Sequence, residues 1–173
     1  MLKSTLGIAI AFSLCAVAHA ANQGQGVVNF KGTVIDAPCG IAPESADQTI
    51  DFGQISKSLL TAGGISKAQD LDIKLVNCDT SEVTKGVTLT FSGNTVNGVA
   101  TELETAGPTN TAIVINGYGS DITFGQPTDN IKLTNGDNTL RFQSWVKQAS
   151  NKSNKTAAEG DFTAVANFNL AYE

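Results

Sequence analysis

Few residues in this chain can do chemistry, and their types and spacing rule most of it out. The 173 residues hold one histidine, His19, and three cysteines, Cys15, Cys39 and Cys78. A Ser-His-Asp or Cys-His hydrolase needs an imidazole to take the proton from its nucleophile. Tetrahedral zinc sites want four Cys or His ligands. Asp70, Asp72 and Asp79 do not fall in a calcium-loop pattern. Gly24, Gly26 and Gly32 miss the dinucleotide spacing, and no P-loop lysine follows a glycine run. Nothing marks a glycosidase-type carboxylate pair, and the acids read better as solvated strand faces. The expectation is no catalytic residue, no cofactor and no metal.

Export narrows the chemistry further. Lys3 gives a short positive start, Leu6 to Val17 is apolar, and Ala18-His19-Ala20 is a small-x-small cleavage site. The apolar run is too short to span a bilayer as a helix. Leu14, before Cys15, is not the small residue that lipoprotein processing needs. Residues 1–20 are therefore read as a cleaved signal peptide. Cleavage leaves 153 residues with a net charge of −6, since Lys3 leaves the total of −5. An acidic chain with scattered lysines has no electrostatic footprint for nucleic acid. His19 and Cys15 go with the signal. In an exported chain the remaining pair, Cys39 and Cys78, is most simply one disulfide.

The elements that must position these residues read as strands. Leu71, Ile73 and Leu75 alternate with Asp72 and Lys74. Val87, Leu89 and Phe91 do the same, as do Ile131 with Leu133, and Leu140 with Phe142 and Val146. Ala112 to Ile115 is a short buried-looking run. A side-chain period of two is that of a half-buried strand. Asn97-Gly98, Asn116-Gly117 and Asn135-Gly136 are candidate tight turns. Ser56 to Leu60, ahead of Gly63-Gly64, is the one candidate helical turn. The pattern predicts an all-β sandwich in one domain. It is not of the antibody kind, because both cysteines lie in the N-terminal half and Trp145 comes long after them. Asn151 and Asn154 head triplets that match the glycosylation pattern, in a polar stretch read as a loop. Alternation points Trp145 outward, as either surface cover near a loop or a stacking contact between subunits.

The two ends do not fit one self-contained domain. From Asp161 to Tyr172 the even positions are Phe162, Ala164, Ala166, Phe168, Leu170 and Tyr172, and the odd ones are mostly polar. A long two-faced strand needs a partner on both edges, because an open apolar edge invites aggregation. At the other end Val28, Phe30, Gly32 and Val34 share one face, behind small polar residues. This segment fits two readings: an ordinary first strand, or a strand lent to another copy by strand addition.

These segments resemble the chaperone–usher pilins, specifically the rod subunit of P pili and its relatives. The resemblance is carried by Gly24-Gln-Gly, Phe30 to Cys39, Ile50-Asp-Phe-Gly-Gln54, Leu71 to Asp79 and Ala164 to Tyr172. The C-terminal pattern is the most specific: Gly160, then Phe162 to Leu170 in alternation, then the penultimate Tyr172. The resemblance implies an incomplete immunoglobulin-like sandwich lacking its last strand. A periplasmic chaperone would lend that strand first. At the outer-membrane usher, the N-terminal extension of the next subunit would replace it. It further implies that residues 21–34 are a donor-strand extension, with Val28, Phe30, Gly32 and Val34 as donor residues, and that 35–173 is the pilin domain. Gly160, Phe162, Ala164, Ala166, Phe168, Leu170 and Tyr172 would bind chaperone or subunit. Cys39 and Cys78 match the family disulfide. The expected role is a repeating rod subunit of an extracellular fimbrium used in adhesion, joined to other pilin subunits and indirectly to a tip adhesin complex. A minor adaptor or terminator pilin, or a single-domain adhesin, are the alternatives.

Overall fold

The computed structural model describes residues 26–150 and 156–173. Residues 1–25, which include the expected signal peptide, and residues 151–155, which include Asn151 and Asn154 of the two glycosylation triplets, lie outside the described residues. The chain divides between Val34 and Ile35.

Residues 35–173 form two β-layers. The larger sheet has the order β1 (Gly40–Ile41), β2 (Gln69–Cys78), β8 (Gly136–Gln148), β6 (Thr111–Gly117), β5 (Val99–Glu104) and β4 (Thr95–Val96). The short β7 (Ser120–Asp121) pairs with β6. The smaller sheet pairs β3 (Val87–Ser92) with β9 (Asn167–Tyr172). All of these pairings are antiparallel. Two short helices, α1 (Pro43–Ala46) and α2 (Lys57–Thr61), lie in the connections. α2 covers the expected helical turn and closes on Gly63 and Gly64, whose N–H groups donate to the carbonyls of Leu60 and Leu59.

Register follows the alternation. Leu71 sits opposite Phe142 and Ile73 opposite Leu140. Ile113 sits opposite Val146 and Ile115 opposite Ser144. A one-residue slip would turn each apolar set to solvent, so the buried face fixes the pairing. The layers meet at Phe91 and Phe142, whose rings stand edge to face with centroids 5.2 Å apart. The Cys39–Cys78 disulfide is formed and buried, tying the approach to β1 to the end of β2.

Three expectations fail locally. Asn116-Gly117 is not the turn: both belong to β6, and Tyr118-Gly119 turn the chain with φ of 54° and 89°. Glycine at 117 serves packing, since a Cβ there would lie 2.2 Å from Phe142 Cδ1. Ile131 and Leu133 form no strand; Ile131 is buried, but it makes only a bridge to Val87. The C-terminal strand is shorter than 161–172. Its partner β3 ends at Ser92, so residues 164–166 lack a ladder, and Thr163 bridges instead to Ala106.

Candidate functional site

Among the described residues, β9 is bonded along one edge only. There it runs beside β3, with Tyr172, Leu170 and Phe168 opposite Val87, Leu89 and Phe91. Its ends are pinned. Glu173 exchanges backbone hydrogen bonds with Gly86, and Thr163 does so with Ala106. Lys85 Nζ lies 3.0 Å from Glu173 Oε2, an exposed pair of small energetic weight. No strand pairs with the other edge of β9 among the described residues. Its N–H and C=O groups there are a template for one more strand.

The larger sheet ends on the same side at β1. Between these two edges the sandwich is open. A groove of about 650 Å³ runs there, walled by Ile41 and Phe52 on one side and Ala164, Ala166 and Phe168 on the other. Phe91, Ile115 and Ser144, which are core residues, form its floor. The even-numbered residues from Phe162 to Tyr172 all pack on the core, yet each is only half-buried. In a closed sandwich such residues would be fully covered on their inward face. Burial against the core pushes the Tyr172 hydroxyl above its ordinary pKa of 10.0.

Of the expected C-terminal residues, Ala164, Ala166 and Phe168 line the groove, while Phe162, Leu170 and Tyr172 pack on the core along the same C-terminal segment. Gly160 stands at its start with φ 139°, and a Cβ there would meet Pro108 Cγ at 2.6 Å. Phe162 tilts against Phe52, centroids 6.4 Å apart. The expected donor residues are placed differently. Residues 26–35 form no strand, and Val28, Phe30 and Val34 are 73%, 92% and 101% exposed. Alternation marks a segment able to pair, but a strand exists only with a hydrogen-bonded neighbour. A Cβ on Gly32 would meet nothing within 4 Å.

Sequence reasoning missed two polar residues. Ser144 on the groove floor is 2% exposed and its Oγ has no hydrogen-bond partner. Glu102, only 3% exposed, accepts hydrogen bonds from Lys147 Nζ and from the backbone and hydroxyl of Ser150. Burial alone would raise the Glu102 pKa; the bonds from Lys147 and Ser150 outweigh it and hold the carboxyl below its ordinary 4.5. Nothing in the sequence pattern signals either burial. Trp145 lies opposite Val114 and is half-buried. No group of His, Cys, Asp or Glu that could hold a metal occurs among the described residues.

A β-sandwich of immunoglobulin-like architecture, open along one side where a strand would complete it, defines a class of strand-accepting subunit. The comparisons identify the family. Residues 28–173 match the family model described as fimbrial protein. The Pap fimbrial major pilin protein of Escherichia coli is 47% identical over 186 residues, covering 100% of both chains. Fimbria A protein of Serratia marcescens is 44% identical, covering 99% of this chain and 98% of its own. The crystal structure of the P pilus rod subunit PapA matches with a TM-score of 0.75 at 48% identity, covering 79% of this chain and 100% of that one. A chaperone–usher pilus structure concerned with rod uncoiling matches at 0.83 and 49%, covering 90% and 100%. The chain belongs to the fimbrial protein family, as a structural pilus subunit.

Proposed function

We propose that this pilus subunit polymerises by donor-strand exchange, its groove taking residues 21–34 of a neighbouring copy. The open groove beside β9 carries the reading: it offers an unpaired strand edge and a largely apolar lining in which Ala164, Ala166 and Phe168 are only half-buried. The exposed Val28, Phe30 and Val34 are the complementary piece, and domain and donor segment meet at Val34 and Ile35. Covering these three side chains supplies about 5–8 kcal/mol gross, before the backbone ladder is counted. Gly160, Phe162, Ala164, Ala166, Phe168, Leu170 and Tyr172 form the accepting wall, first for a periplasmic chaperone and then for the next subunit. The role is structural and not catalytic. Export through the periplasm, assembly at an outer-membrane usher and an extracellular fimbrium follow from membership of the family. The rod position is supported by the similarity to a major pilin and a rod subunit.

Deleting residues 21–33 and co-expressing the chain with its chaperone and usher tests the reading. The expected product is a chaperone-bound subunit that makes no fibres by electron microscopy or unboiled gel. Fibres from the deleted chain would refute it.

A further inference from the structure

A second strand has an open edge, far from the groove in the sheet order. β8 is 13 residues long and its neighbour β6 is 7. Their ladder ends where Asn116 meets Gln143, so residues 136–142 of β8 have no strand beside them on that side among the described residues. On its other side β8 stays paired with β2. The Ala149 N–H donates to the Asn110 carbonyl, so the odd positions of β8 turn their backbone groups toward β6. Asp137, Thr139 and Arg141 thus offer N–H and C=O groups past the end of β6. An open edge of this kind is a template for any extended segment. A subunit that grows by strand addition at β9 must keep strands off β8.

Tyr118 stands where β6 gives out. It opens the tight turn with φ 54°, and Gly119 follows at 89°. Two positive φ values define a turn whose first central residue is ordinarily asparagine, aspartate or glycine. A bulky residue there is a backbone outlier, held in place by its surroundings. The Tyr118 ring stands edge to face on Phe142, centroids 5.5 Å apart. Burial raises the pKa of its hydroxyl above the ordinary 10.0, and the backbone N–H of Arg141 works against that shift. The hydroxyl therefore lies at the first N–H that β6 leaves free. Resting on the donor-strand reading above, we propose that Tyr118 is a guard: its side chain caps the open edge of β8 and confines strand addition by another copy to β9. The exposed Asp137 at the far end of the edge adds a charge of the kind that blunts pairing. Asparagine at 118 would suit the turn better, and it would leave the edge bare.

The test uses fibres of the full chain, assembled with chaperone and usher, whose grooves are already filled. They are incubated with a labelled peptide spanning residues 27–35, and the label that sediments with them is measured. Tyr118→Asn keeps the turn chemistry and removes the cap. Its fibres are expected to retain at least about fivefold more peptide than wild type, the scale of one hydrogen bond released to a partner. Tyr118→Phe keeps the ring without the hydroxyl and should fall between. Thr139→Pro, added to Tyr118→Asn, removes an N–H that faces the open edge and not β2, and should return uptake to the wild-type level. If Tyr118→Asn makes no fibres, the same label is measured on the subunit that still holds its chaperone. Equal uptake by wild type and Tyr118→Asn, or uptake that survives Thr139→Pro, would overturn the guard. A Tyr118 that serves packing alone would lower the melting temperature when replaced and add no peptide site. These outcomes leave the donor-strand reading standing, which falls only if the 21–33 deletion still makes fibres.

Discussion

Phe30→Ala separates donor-strand binding from ordinary folding. Phe30 is 92% exposed in the single chain, so the substitution should leave the subunit's own stability unchanged within about 0.5 kcal/mol. In the groove the ring would be covered. Relative to alanine, that removes roughly 120 Å² more apolar surface from water, worth about 3 kcal/mol at ~25 cal/mol per Å². The corresponding change in affinity is roughly 150-fold. The assay is competition between labelled wild-type and Phe30→Ala peptides spanning residues 21–35 for the chaperone-bound subunit, read on a native gel. Stability of the full-length variant is measured in parallel by thermal melting of the same complex. A peptide ratio below about threefold would refute the reasoning, because it corresponds to less than ~1 kcal/mol and so to an uncovered side chain. A large loss of stability in the variant subunit would refute it from the other side, by showing that Phe30 packs within its own chain.

Other expectations concern the frame that holds the groove. Gly117→Ala places a methyl group against the Phe142 ring and should cost about 1–3 kcal/mol, read as a lower urea midpoint with an unchanged slope. Replacing both Cys39 and Cys78 by alanine opens a crosslink spanning 39 positions, and the chain-entropy estimate is a loss of about 4 kcal/mol. A loss below about 1 kcal/mol would show that the unfolded chain is not what the disulfide restrains. Glu102 has a folded pKa below its ordinary value of 4.5. Its contribution is thus fully present above pH 4.5 and is lost as the pH falls through the lowered folded value. Glu102→Gln should flatten that acid limb of the stability profile, and an identical limb in both proteins would count against the assignment.

Much of the site was legible in the sequence because its signal is local. The even positions from Phe162 to Tyr172 do face the core, and the odd ones face solvent. The same period placed Leu71 to Leu75, Val87 to Phe91 and Leu140 to Val146 on buried faces. Turns were read less well. Asn116-Gly117 has the favoured composition, yet the hairpin closes at Tyr118-Gly119, because the ladder runs on through Gly117, which pairs with Ser120. The break at residues 164–166 was also invisible, since it depends on where β3 ends, at Ser92, far earlier in the chain.

By itself, then, the sequence determined which residues can lie on a buried face, that two cysteines are available to pair, and that both ends carry strand-like alternation. These are properties of neighbouring residues, and the two-residue repeat of an extended chain exposes them. Only the tertiary structure decided that, among the described residues, β9 has one free edge, the core lies open beside it, and Ser144 stands unpartnered on the floor. An open edge and an unsatisfied hydroxyl are each defined by what fails to reach them from everywhere else in the chain. No short stretch of sequence holds that information, because it is the sum of packing among segments far apart in order.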